Sequence, residues 1–150
     1  MLFRSDLFLG IPVHKAPPVV AASGLAENGW IPVDKGTAAT RFPDVYAVGD
    51  VTSVGTPKAG VFAERAADAM VDHIVARLRG EAEPPGYNGT GACYVELGKG
   101  QVGGIEVDFF SQPDHPHGWY TEPNGQTVAL KHDFGADRRA RWFHAPASRP

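Results

Sequence analysis

The apolar and polar positions divide the chain into short apolar runs set off by turn residues, then one long helical pattern, then a glycine-rich pair of strand-like runs. DLFLGI (6–11) is an apolar run stopped at Pro12 and predicts a buried strand. Pro17 and Pro18 keep Val13–Ala22 extended or irregular up to a short helix near Val19. A strand is expected over Trp30–Asp34, with a turn at Lys35-Gly36. Val45–Val48 is an unbroken apolar run of the kind covered on both faces, which predicts a strand in the parallel sheet of an α/β protein. A helix is expected from about Lys58 to Arg79, with Thr56 as N-cap and Pro57 at the first helical position. Phe62, Ala66, Ala69, Met70 and His73 form one stripe on it and Val71, Ile74, Val75 and Leu78 a second, so burial on more than one side is expected. Arg77 and Arg79 suit the negative end of that helix, and Gly80 suits its stop.

Residues 81–91 read as a linker rich in proline, glycine and acid, which divides residues 1–80 from a smaller β-rich part over 92–150. ACYVEL and GIEVDFF read as strands joined by GKGQVG, TVALKHDF as a last strand, and ADRRARWFH as an amphipathic helix. In that helix Arg138, Arg139 and Arg141 are expected outward, with Trp142 and Phe143 packing inward.

Composition narrows the class. The 150 residues are 43% hydrophobic and 21% charged, as in a globular protein, while 18 glycines and 13 prolines imply many turns. A net charge of −3 and the lack of a basic cluster argue against nucleic-acid binding. No apolar run reaches the roughly 18 residues of a membrane span, so contact with a membrane is expected to be peripheral at most. A single cysteine, Cys93, excludes an internal disulfide and fits a reducing cytoplasm.

The candidate chemistry centres on Gly49 and Asp50, expected at the carboxyl end of the Val45–Val48 strand, where open α/β sheets bind ligands. An ionised carboxylate only accepts hydrogen bonds, so a polyhydroxyl chain is its natural partner. Lys58 and the free amides at the following helix start favour an electron-rich group beside it. Two other patterns carry less. Gly98, Gly100 and Gly103 match a G-x-G-x-x-G fingerprint, but no helix is expected after them, so a hairpin turn is the reading. His115, His117 and Asp114 lack zinc-site spacing and read as a surface loop; His14 and Lys15 read as solvated, and Trp30 as core packing.

VYAVGD followed closely by PKAGVFAERAA resembles the second flavin-contacting motif of the FAD-dependent pyridine nucleotide-disulfide oxidoreductases, most nearly the sulfide:quinone oxidoreductase, flavocytochrome c sulfide dehydrogenase and type II NADH dehydrogenase branch. The resemblance implies part of a Rossmann-like FAD/NAD(P)-binding domain followed by a small α+β domain. It gives Asp50, after Gly49, the ribityl chain of FAD, and gives Lys58, Ala59 and Gly60 the pyrimidine end of the flavin. NAD(P)H or sulfide would be the donor, a quinone or an electron-carrier protein the acceptor, and a homo-oligomer or a partner chain is expected. Sulfide-oxidising members use paired redox cysteines, whereas the first 92 residues here hold none. The likeness is to the carboxyl-terminal portion of a much longer enzyme, without its adenine-binding fingerprint or nicotinamide-binding insertion. The chain alone is therefore expected to hold FAD weakly or not at all. Two readings stay open: a segment of the oxidoreductase, or a non-catalytic module that pairs with a partner supplying the fingerprint.

Overall fold

A computed structural model describes residues 6–7, 9–112 and 114–144. Its longest helix lies where the apolar period puts it, but starts later than its cap residues imply. The first helix, α1, is the short Pro18–Ala22, and α2 spans Gly60–Arg79. The N-cap of α2 is Ala59, not Thr56, because the Ala59 N–H closes a tight turn onto the Pro57 carbonyl (3.0 Å) and the chain enters the helix only after it. At the other end Gly80 is left-handed (φ 68°), and its N–H with that of Glu81 returns to the last carbonyls, as expected of a glycine stop.

Phe62 and Ala66 on α2, with Tyr87, form the core, against which Val48, Val107, Phe109 and Phe110 pack. Phe62 meets Phe109 edge-on at 5.6 Å, and Tyr87 meets Phe110 at 5.5 Å. Tyr87 comes from the proline-rich stretch before the sheet, and its N–H donates to the Gly36 carbonyl (2.8 Å). Burial pushes its phenol pKa up. The second apolar stripe of α2 is only partly covered: Ile74 and Val75 are half-buried, while Val71 is 50% and Leu78 79% exposed. The helix meets the rest of the chain mainly through the Phe62–Ala66 side.

The sheet is antiparallel, in the order β1 (Thr90–Gly98), β2 (Gln101–Asp108), β3 (His117–Thr121). Lys99 and Gly100, both at positive φ, form the two-residue turn between β1 and β2. That is the geometry of a primed hairpin turn, so the G-x-G-x-x-G match is a hairpin. No parallel sheet occurs among the described residues. Val45–Val48 is not a strand buried on both faces: residues 38–40 fold back beside it with one antiparallel bridge, Ala39 to Tyr46, and Val45 is exposed. Trp30–Asp34 is likewise reduced to bridges at Trp30 and Ile31, the latter parallel to Thr52. The described residues of 6–11 form no strand, and Leu7, Leu9 and Ile11 are exposed. An apolar run becomes a strand only where a neighbouring backbone satisfies its N–H and C=O groups over several residues, and among the described residues 30–34 and 45–48 have only isolated bridges.

The last third differs most. TVALKHDF is not a strand but the first half of α3 (Gly125–Phe143). Asn124 accepts from the N–H groups of Gln126 and Thr127 while the Thr127 hydroxyl takes the Asn124 N–H, a reciprocal cap that nucleates the helix. The missing strand lies instead in HGWYT, so His117 is a β3 residue. Arg138 and Arg141 turn inward to α2: Arg138 pairs with Glu64 and Arg141 with Asp68 (3.0 Å), while Trp142 and Phe143 are exposed. Glu64 and Asp68 provide a charge-complementary face that an aromatic pair could not use.

One surface turn reports on pH. The Asp34 carboxylate accepts from the N–H and hydroxyl of Thr37 (both 2.8 Å) and the N–H of Gly36 (3.0 Å), which hold its pKa below the ordinary 3.8. A carboxyl whose pKa is depressed by folding stabilises the fold above its unfolded pKa, and that increment is lost as pH falls through the folded value. Asp34→Ala should lower the urea midpoint at neutral pH, with the gap to wild type narrowing on acidification below the carboxylate range; a gap that widens in acid would contradict the assignment.

Candidate functional site

Gly49 is at φ 81°, a backbone that side-chain-bearing residues rarely adopt, and a Cβ there would reach Ala63 on the first turns of α2 at 3.6 Å. It opens a 3-10 turn, Gly49–Val51, that is closed by two bonds onto the Gly49 carbonyl, from the Thr52 N–H (3.1 Å) and the Thr52 hydroxyl (2.9 Å). Thr52 is 2% exposed, so the turn is tied to buried structure. Asp50, at its centre, is exposed, and its carboxylate makes no hydrogen bond or ion pair among the described residues.

Lys58 lies across from it. Its ammonium donates to the Thr52 carbonyl (2.7 Å) and stands 4.0 Å from the centroid of the Trp30 ring. Asp50, Val51, Lys58, Trp30 and the segment 13–17 line one cleft of about 470 Å³. Beneath it, Gly49, Asp50, Lys58 and Ala59 also border a void of about 20 Å³ above Phe62. Of the five residues expected at the site, Asp50 and Lys58 share the larger cleft with His14 and Lys15, while Gly49 and Ala59 border the small void but not that cleft. Trp30 is not simply core packing: it is half-buried and forms a wall of the cleft.

Gly60, with Ala59, faces a second cleft of about 430 Å³ between α2, β1 and α3. Val61, Tyr94, Phe134 and Trp142 give it apolar walls; its charged lining is Lys131, Arg138 and Glu64, with Arg138 paired to Glu64 and Lys131 to Glu96. The exposed thiol of Cys93 lines it too. Sequence distance separated Cys93 from the helix start, whereas the packing of β1 against α2 brings them to one cleft. On α3, Lys131, Phe134, Arg138 and Trp142 follow helical spacing, a signal that was legible within TVALKHDFGADRRARW. The backbone N–H groups of Gly60 and Val61, at the open start of α2, make no bond among the described residues, so the positive end of the helix lies between the clefts.

Among the described residues no group of three or more His, Cys, Asp or Glu could hold a metal, and no helix is long and apolar enough to cross a membrane. The donor set suits a ligand that is hydroxylated at one end and electron-rich at the other: an exposed carboxylate acceptor and a held ammonium line one cleft of ordinary ligand size.

No family model matches the chain. It is similar to the mitochondrial sulfide:quinone oxidoreductase of Schizosaccharomyces pombe, with 28% identity over 153 residues that take in 92% of this chain. The likeness is to an oxidoreductase. It supports, at most, a relationship with the sulfide:quinone oxidoreductase-like flavoproteins. The chain spans about a third of the length of that relative (33%).

Proposed function

We propose that the chain is the carboxyl-terminal segment of an FAD-dependent oxidoreductase that passes electrons from NAD(P)H or sulfide to a quinone or a similar acceptor. In this reading residues 1–80 complete a Rossmann-like FAD/NAD(P)-binding domain, 81–91 link it to the rest, and 92–150 form a small carboxyl-terminal domain. The supporting observation is the cleft that Asp50 and Lys58 line together. Asp50 accepts from the ribityl hydroxyls; Gly49 lets the ligand approach the backbone. Lys58 and the free Gly60 amide favour negative charge on the pyrimidine end, with Ala59, whose own N–H is taken by the Pro57 carbonyl, leading into the helix start. Bound flavin supplies the electron-pair chemistry.

The second cleft suits the acceptor. Its aromatic walls match an apolar ring, and Lys131 and Arg138 can donate to carbonyl oxygens. Both clefts meet the same helix start, so in this reading the acceptor lies next to the flavin.

A second reading, a non-catalytic module paired with a partner chain or a second copy, is favoured by one observation. Leu9, Ile11 and Val13 are all more than two-thirds exposed, and alternate apolar side chains so exposed call for protein against them. A continuous upstream strand, G-x-G-x-x-G and helix would supply that protein in the first reading; a separately translated one would supply it in the second.

The test is to join or co-express these residues with such a segment, load FAD, and compare anaerobic flavin reduction by NADH, NADPH and sulfide. Retained flavin that one donor bleaches is the expected result, and the 150-residue chain alone is expected to purify without a flavin absorbance band. A protein with the fingerprint in place that takes up no FAD would overturn the reading.

A further inference from the structure

We propose that Trp30 is a positioning residue for Lys58: its indole face and the Thr52 carbonyl together hold the ammonium at one point on the cleft wall. This deepens the flavin reading and rests on it for the identity of the ligand. A lysine is a flexible stem with a point charge, so an unheld Lys58 would sample many positions. Here two contacts from different segments converge on it, the ring at 4.0 Å and the carbonyl at 2.7 Å.

Those two contacts do not move independently. Ile31, next to Trp30, donates its N–H to the Val51 carbonyl (2.8 Å) and accepts from the Ser53 N–H (3.0 Å), the parallel bridge that ties residues 30–31 to residues 51–53. Trp30 is also locked to Glu27 by reciprocal backbone bonds (2.7 and 3.1 Å). Thr52, whose carbonyl holds Lys58, is the residue whose N–H and hydroxyl close the turn carrying Asp50. One backbone unit thus sets both the carboxylate and the ammonium, and the separation between them.

The chemistry follows from the donor count. An ammonium has three N–H groups; one is taken by Thr52, the charge lies against the ring, and donor capacity remains for a ligand in the cleft. The indole face that Lys58 covers is not open to a planar ring, so on that face Trp30 acts through Lys58 and does not stack on the ligand.

The first test needs no flavin. With lysine-selective isotope labelling of the 150-residue chain, the ε-methylene protons of Lys58 should resonate upfield of the other lysines because they lie in the ring current of Trp30. Trp30→Leu should return them to the ordinary position, and Trp30→Phe should keep part of the shift, while the amide signals of the β1–β2 hairpin stay in place as the control for folding. If Trp30→Leu does not fold, Lys58→Met in a Trp119→Phe/Trp142→Phe background should change the emission of the remaining indole. An unshifted Lys58 in the wild type, or a shift that survives Trp30→Leu, would overturn the proposal, as would an unchanged emission in the fallback variant.

The second test uses the FAD-loaded protein. Trp30→Leu and Lys58→Met should each lower the flavin reduction potential, and the double variant should lower it no further than Lys58→Met alone, since both remove the same held charge. Additive losses would overturn the proposal. Failure to load flavin would count against the flavin reading and leave the spectroscopic result for Trp30 and Lys58 intact.

Discussion

Asp50→Ala in the FAD-loaded protein should raise the flavin dissociation constant by about 10- to 100-fold, which is the loss of a charged hydrogen bond worth roughly 1.5–3 kcal/mol. The carboxylate is exposed and makes no bond among the described residues, so a ligand is the partner it would lose. For the same reason the flavin-free protein should be nearly indifferent to the change, within about 0.5 kcal/mol in urea unfolding. Flavin appearing in the ultrafiltrate of the variant, with unfolding of the apoprotein unaltered, is the expected pair of results. Retention of flavin at wild-type affinity would remove Asp50 from the site, and a large loss of apoprotein stability would make its role structural.

Phe62→Ala should have the largest effect on the fold, about 3–5 kcal/mol, a sizeable part of the total stability of a small domain. Phe62 is 5% exposed and is the side chain through which α2, the Tyr87 stretch and the end of β2 meet. Gly91 on β1 makes room for it: a Cβ there would fall 2.3 Å from the Phe62 ring, so the cavity left by alanine is walled by backbone that cannot easily close in. The helix start carrying Lys58, Ala59 and Gly60 is only two to four residues away, so both clefts should lose definition as well. Leu78→Ala, on the exposed stripe of the same helix, should change the urea midpoint little. Equal losses from the two substitutions would mean that α2 is buried on both sides, contrary to the packing described above.

The parts of the molecule that were legible in advance share a physical character. Gly80 stops α2 because a left-handed residue must follow the last turn, and Lys99-Gly100 turns the hairpin because two successive residues must take positive φ. Both demands act over a few neighbouring residues. The Asn124 cap was also local and could have been read: Asn-x-x-Thr before a helical period of Lys131, Phe134 and Arg138 argues for α3 over a strand. The β-branched Thr127 and Val128 give the same stretch strand composition, which masks the cap.

The strand readings of ACYVEL and GIEVDFF held, whereas those of the runs at 6–11, 30–34 and 45–48 failed. The runs at 6–11 and 45–48 have strand composition, but a strand exists only when another backbone pairs with it, and composition does not say whether one is present. The orientation of α3 failed likewise, because the aromatic pair was expected to be buried by hydrophobicity alone, whereas Glu64 and Asp68 on α2 draw Arg138 and Arg141 inward.

By itself the sequence determined the extent of α2 to within a turn, the hairpin, and the nearness of Gly49-Asp50 to Lys58–Gly60, since only a short loop separates them. Only the tertiary structure decided that Trp30 stands against Lys58, that Ala59 and Gly60 turn toward the second cleft, and that Cys93 shares that cleft with them. Turns and helix ends are governed by steric limits on a few consecutive dihedral angles. The neighbours of a side chain are governed by burial and pairing summed over the whole chain, a quantity that no short stretch of residues contains.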